Sequence, residues 1–169
     1  NNEMISSFYP KSNKISYIPR GVNIKDFPYE KKNYNLDKYN LPKNKKIITS
    51  VANLVPVKGI HILIEAFELL CREDNSFFLL IVGNKETVYG KMMQEKSKSS
   101  HYKKNICFVG EVLDVKPFLS ISSLFVLPTL NEGRKEGCPV SLLEAMAMGI
   151  NVLASKIACV EDILSNFPN

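Results

Sequence analysis

The chain has 169 residues, 45% hydrophobic and 23% charged, a balance that suits one globular domain large enough to bury a proper core. Its formal charge of +5, with lysines crowded into the first 46 residues, reads as a solvated basic surface before it reads as a match for an anionic ligand or a membrane. There is no arginine-aromatic cluster for single-stranded nucleic acid, and Cys71, Cys107, Cys138 and Cys159 are scattered with no C-x-x-C pair and only two histidines, which disfavours zinc and disulfide frameworks.

Residues 1–45 are polar and broken by Pro10, Pro19, Pro28 and Pro42, with one apolar stretch at Ile15–Ile18 and a turn signal at Arg20-Gly21: a linker with a short strand in it. From Lys46 the character changes, and residues 46–169 read as the structured domain. Ile47–Ala52 is β-branched and too short for a helix, so it reads as a buried strand. Beyond a loop holding Pro56, Lys58 and Gly59, the apolar positions Ile60, Leu63, Ile64, Phe67 and Leu70 fall on one helical face. Phe77–Val82 is a second strand closed by Gly83, and Glu86–Lys96 a weaker helix. Ile106–Val109 is a third strand, closed by Gly110 and followed by a helix around Val115–Ile121. Leu124–Leu127 is a fourth, Pro139–Met148 a helix, Asn151–Ala154 a fifth strand, and Val160–Leu164 a last helix.

Continuous apolar strands separated by helices predict a doubly wound parallel sheet, an α/β, Rossmann-like fold covered on both faces. Ligands of such sheets bind beyond the carboxyl ends of the strands. That rule gathers residues 53–59, 83–85, 110–112 and 129–140 around one crevice. No apolar run approaches the roughly 20 residues that span a bilayer, and no signal-like segment opens the chain. A reducing, cytoplasmic setting is the expectation. With Asn1 rather than a methionine first, the chain also reads as a piece of something longer.

Neither a G-x-G-x-x-G after a strand nor a Walker-type loop nor a G-x-S-x-G elbow occurs, which disfavours nicotinamide dehydrogenases, P-loop enzymes and triad hydrolases. Lys58 stands between the first strand and a helix start, where a cation beside free N–H groups and the helix dipole can hold a diphosphate; it is equally readable as one more surface lysine. Glu144 interrupts the apolar helix Leu142–Met148, where a carboxylate is costly unless something polar meets it. It can accept from both hydroxyls of a ribose, or it can sit at the solvent edge of the helix. Glu136, in a loop that also holds Glu132, Arg134 and Lys135, is either an exposed acid or part of the same pocket.

Together these residues resemble the carboxyl-terminal half of a GT-B glycosyltransferase of the group 1, family 4 type. Tyr17 to Asn23 with Phe27 looks like the family's lead-in to this domain, and Val51–Gly59 like its phosphate-binding loop. Phe108-Val109-Gly110 and Leu127-Pro128-Thr129 match later strand ends. The most specific piece runs from Glu136 to Gly149, two glutamates separated by seven residues and continuing into an E-A-M-A-x-G helix. The resemblance implies that Lys58 and Glu136 are the catalytic pair, Glu136 on the donor sugar and Lys58 on the phosphates. It further implies that Gly137, Cys138, Pro139, Val140 and Ser141 meet the diphosphate, that Glu144 binds the ribose, and that Gly110, Glu111 and Val112 lie near the base. Asn53 and Gly59 complete the donor site, Asn53 where the family often has arginine. It implies no metal and no cofactor besides a nucleoside-diphosphate sugar of UDP, GDP or ADP type, and a glycan or lipid-linked acceptor held by an amino-terminal domain absent here. Transfer with retention in surface polysaccharide assembly, with peripheral association at the inner face of the membrane, completes the expectation. Without the acceptor domain, and with a carboxyl end short of the family's last elements, this chain is expected to transfer nothing alone. The other readings are a GT-B sugar-nucleotide epimerase and a non-catalytic α/β interaction module.

Overall fold

The computed structural model describes residues 20–27, 34, 36–132 and 137–165. Five parallel strands form one sheet in the order β3-β2-β1-β4-β5: β1 Lys46–Val51, β2 Phe77–Val82, β3 Ile106–Gly110, β4 Leu124–Leu127 and β5 Val152–Ala154. The helices are α1 Ile60–Glu73, α2 Val88–Ser99, α3 Lys116–Ser120, α4 Val140–Ala147 and α5 Ala158–Leu164. The architecture is the expected Rossmann-like α/β fold. The strand read at Ile15–Ile18 lies outside the described residues.

Alternate residues of each strand face opposite layers, which is why the strands read as unbroken apolar runs. Ile48, Leu79, Ile81 and Val126 pack against Ile60, Leu63, Ile64 and Phe67 of α1 and Met93 of α2. On the other face Phe125 and Leu127 meet Leu119 of α3, Leu142 and Ala145 of α4 and Val160 of α5. A third group there, Ile47, Phe78, Leu80, Val82, Val109 and Phe118, is covered by Leu36, Tyr39 and Leu41, with the Tyr39 ring edge-on to Phe118 at 5.1 Å. Each such large apolar side chain contributes about 1.5–3 kcal/mol on burial.

Local chemistry sets the helix ends. The helix read as Glu86–Lys96 runs instead over Val88–Ser99, because Thr87 caps it: its hydroxyl accepts from the Gly90 N–H at 2.9 Å. Its carboxyl end carries on past Lys96 with Ser97 buried and Lys96 and Lys98 favourably placed against the helix dipole. At the end of α4 the Ile150 N–H donates to Ala145 O and the Gly149 N–H to Met146 O, the paired bonds of a Schellman stop. Tyr89 of α2 secures the start of α1, accepting from the His61 N–H at 3.1 Å and lying 2.7 Å from His61 Nδ1.

The strand order reverses between β1 and β4, where β1 has β2 on one side and β4 on the other. At such a switch point the loops leave to opposite faces and open a crevice at the carboxyl ends.

Candidate nucleotide-sugar site

The loop after β1 is held by backbone. Pro56–Lys58 forms a single 3-10 turn, with proline's preset φ at its start, and Gly59 closes it in the left-handed region at φ 66°. A Cβ on Gly59 would lie 2.1 Å from the Pro128 carbonyl oxygen, so the loop can sit against the end of β4 only with glycine there. The Leu130 N–H donates to Val57 O at 2.7 Å across the same seam, and Thr87 Oγ1 donates to Leu54 O at 2.8 Å from the opposite side. Leu54, 1% exposed, pins the loop to the core. Lys58 is thereby presented on the cleft wall.

The second wall comes from the ends of β2 and β3. Gly83, at φ 154°, passes so close to β1 that a Cβ would meet Ala52 O at 2.0 Å, and its N–H donates to Gly110 O at 2.9 Å. The register of β3 slips here: Val82 pairs with Gly110, leaving Val109 as the extra residue. Glu111 and Val112 reach the cleft just beyond this irregularity.

The third wall is the start of α4. Cys138, Pro139, Val140 and Ser141 line the cleft, and among the described residues no side chain caps the helix, its N-cap residue being Pro139. Its first N–H groups, which a helix cannot satisfy internally, therefore lie on that wall together with the positive end of the dipole. Glu144 stands one turn along the same helical face, four residues after Val140, half-buried and outside the cleft lining. Burial pushes its carboxyl above the ordinary value, Lys116 and Arg20 pull it back down, and Asp114 pushes it up. Lys116 Nζ lies 3.6 Å from Asp114 Oδ1 and 5.5 Å from the centre of the Phe27 ring. The Cys138 thiol donates to the Arg20 carbonyl at 4.0 Å, so Arg20 lies against this wall.

The cleft encloses about 270 Å³. Of the residues singled out from sequence, it brings together Asn53, Lys58, Glu111, Val112, Cys138, Pro139, Val140 and Ser141. Gly59 and Gly110 shape its edges rather than line it, Gly137 lies in the adjoining loop, and Glu136 lies outside the described residues. Sequence reasoning placed Gly83 and Asn84 near the crevice without assigning them to the site, and it missed Val115, which lines the cleft beside Val112. The signal for Val115 is faint: a valine at the start of a five-residue helix reads as ordinary packing. Among the described residues no group of three or more His, Cys, Asp or Glu side chains is placed to hold a metal ion, and no helix is long and apolar enough to cross a membrane.

A five-stranded parallel sheet with helices on both faces and a cleft at its switch point is the Rossmann-like arrangement found in glycosyltransferases of the GT-B fold. Residues 31–169 match the family described as glycosyl transferases group 1, and the chain belongs to that family. The N,N'-diacetylbacillosaminyl-diphospho-undecaprenol α-1,3-N-acetylgalactosaminyltransferase of Campylobacter jejuni is 32% identical over 171 residues, 96% of this chain and 42% of that protein. An Escherichia coli enzyme named for transfer from UDP-Gal to GlcNAc-diphosphoundecaprenol is 30% identical over 158 residues, 90% of this chain and 39% of that protein. The amylovoran biosynthesis glycosyltransferase AmsK of Erwinia amylovora is 29% identical over 152 residues, 86% of this chain and 36% of that protein. The chain thus spans well under half the length of these relatives. A glycosyltransferase structure from Rickettsia africae superposes with a TM-score of 0.84 at 23% identity, covering 99% of this chain and 44% of that one. At that identity the likeness establishes the fold. The relatives are glycosyltransferases, which favours neither an epimerase nor an interaction module.

Proposed function

We propose that the chain is the donor-binding, carboxyl-terminal half of a GT-B glycosyltransferase of the family 4 type, with residues 46–169 as the nucleotide-sugar domain and residues 1–45 as the lead-in to it. The observation that carries this reading is the convergence of Lys58, from the loop after β1, and the uncapped start of α4, after β4, on one cleft at the strand switch point. The whole protein would move a sugar from a nucleoside-diphosphate sugar to a glycan or lipid-linked acceptor in surface polysaccharide assembly, in the cytoplasm at the inner face of the membrane. The acceptor would be held by the part of the protein this chain does not span.

In this reading the diphosphate lies along the first turn of α4, where N–H groups and the helix dipole favour negative charge. Glu144 accepts from the ribose hydroxyls one turn further on, and the base rests by Glu111, Val112 and Val115. Glu136 binds hydroxyls of the donor sugar. As the bond from the sugar's anomeric carbon to the phosphate oxygen breaks, its electron pair leaves with the nucleoside diphosphate, and Lys58 and the α4 N–H groups stabilise that charge without a metal. The acceptor hydroxyl forms the new bond, with retention, and releases its proton. A UDP-type donor is favoured over GDP and ADP types, because the E. coli relative is named for a UDP sugar and a structural neighbour, the HepE protein of Anabaena, was solved with UDP and glucose.

Thermal unfolding with UDP, GDP or ADP tests the site. One nucleotide, UDP first, is expected to raise the melting temperature, by about 2.7 kcal/mol of added stability at a concentration a hundred times its dissociation constant. Glu144→Ala is expected to remove the shift. A folded sample that no nucleotide stabilises would overturn the proposal.

A further inference from the structure

The flank of the molecule formed by α2 and the outer edge of β3 supplies none of the side chains that line the cleft, yet it carries an unusual surface. Val88, Lys91, Met92, Glu95 and Lys98 fall within about 120° of one another on α2 at 100° per residue. Val88 and Met92 are 81% and 58% exposed, although the inner side of the same helix has Met93 to bury. At and beyond the carboxyl end of α2, Lys98, Lys103 and Lys104 rim a second cleft, about 380 Å³, alongside β3, and among the described residues no acidic side chain lines it. Lys45 joins this end, its Nζ 2.8 Å from Asn105 Oδ1. Among the described residues this flank carries five lysines, 45, 91, 98, 103 and 104, against two glutamates, Glu86 paired with Lys91 at 3.6 Å and Glu95 with Lys98 at 2.7 Å. Lys103 and Lys104 have no ion-pair partner among the described residues. The neighbouring helix α1 is the opposite case, its outward side carrying Glu65, Glu68 and Glu73.

Two occupants fit a basic edge: an extended acidic peptide adding to β3, or a flat anionic surface. The peptide is disfavoured because Lys85 Nζ donates to the Phe108 carbonyl at 3.3 Å, occupying an acceptor that an added strand would use. The apolar side chains favour the surface. An interfacial helix combines lysines with a few exposed apolar residues that enter the headgroup boundary, and Val88 and Met92 among lysines meet that description.

We propose that the α2–β3 flank docks on an anionic lipid bilayer, with Lys91, Lys98, Lys103 and Lys104 over the headgroups and Val88 and Met92 at the acyl boundary. Because the flank runs from the carboxyl end of β2 at Val88 to the amino end of β3 at Lys104, docking leaves the cleft between β1 and β4 open at the membrane surface. The proposal rests on the inner-face location proposed above, for which it supplies the surface, and it is tested without nucleotide.

Co-sedimentation with vesicles of 30% phosphatidylglycerol in phosphatidylcholine, against pure phosphatidylcholine, decides it. The chain is expected to bind the first and not the second, with binding falling as salt rises. Each lysine brought to an anionic surface is worth about fivefold in partitioning, so Lys98→Ser, Lys103→Ser and Lys104→Ser together should lower binding roughly a hundredfold. Val88→Ser with Met92→Ser should lower it with the charge untouched. All five positions are solvent-facing, and an unchanged melting temperature confirms that the variants are folded. Equal binding to both vesicles, no binding to either, or full binding by the triple variant would overturn the proposal. So would capture by an acidic peptide in preference to phosphatidylglycerol vesicles, which would assign the flank to a protein partner.

Discussion

The cleft at the carboxyl end of the sheet and the α2–β3 flank are both candidates to meet negative charge, and they are built by different means. At the cleft the backbone does most of the placing: a Cβ on Gly59 or Gly83 would lie 2.1 or 2.0 Å from a carbonyl oxygen of the facing segment, and Lys58 lines the space so formed. At the flank, side chains on a regular helix and a short turn supply the charge with little backbone constraint. A site that must hold a small ligand in one pose needs fixed donors, whereas a surface that meets a bilayer needs only net charge and exposed apolar area. The cleft should therefore be brittle to substitution and the flank tolerant.

The largest break in that comparison should come from glycine. Gly59→Ala must move Pro128 or abandon the left-handed turn, and we expect a loss on the order of 3 kcal/mol or more in urea unfolding. Gly137→Ala, in the same functional region but with nothing within 4 Å of the new Cβ, should stay within about 0.5 kcal/mol. Similar costs for the two would show that the seam between the β1 and β4 loops is not what fixes the cleft. A smaller effect, on chemistry rather than folding, follows for Lys58. Lys58→Ala in the whole enzyme should lower kcat on the order of a hundredfold while donor KM changes much less, as for loss of a transition-state donor. Lys103→Ala on the flank should leave kcat with a soluble acceptor unchanged. If Lys58→Ala also leaves it unchanged, Lys58 has no part in leaving-group departure.

The contrast also explains how much was legible in advance. Phe77–Val82 and Leu124–Leu127 could be read to the residue because strands buried on both faces leave unbroken apolar runs, and α1 could be read because its core-facing side repeats at helical spacing. Lys58, Asn53 and Cys138–Val140 could be placed in one cleft because parallel sheets put their ligands at the carboxyl ends, which turns chain order into spatial proximity. What could not be read depends on contacts between distant segments. Nothing near Glu144 in sequence shows that the charges of Lys116, Asp114 and Arg20 act on it, nor that the stretch ahead of β1 lays Leu36, Tyr39 and Leu41 on the core. The exposure of Val88 and Met92 was hidden for the same reason: an apolar residue in an amphipathic helix is assumed to face inward until the neighbour it lacks is known.

The subtlest test concerns Glu144, which belongs to the brittle region but through its charge. Burial raises its folded-state pKa above the ordinary glutamate value of about 4.3, against the pull of Lys116 and Arg20. A folded chain that holds this proton longer than the unfolded chain loses stability as pH rises from the unfolded value to the raised one, and above that the penalty is constant. Glu144→Gln removes the ionisation, so the unliganded variant should melt above the parent at pH 7.5 and converge with it below pH 4. The gain should be small, because the carboxyl is only half-buried and partly offset by the two cations. A melting difference of the same size at both pH values would mean that the change acts through packing or hydrogen bonding rather than charge. The pairing with Glu144→Ala is the informative part. If ionised Glu144 destabilises the empty domain and Glu144→Ala also removes the nucleotide shift, the residue is spending folding free energy to keep an acceptor ready for the ligand.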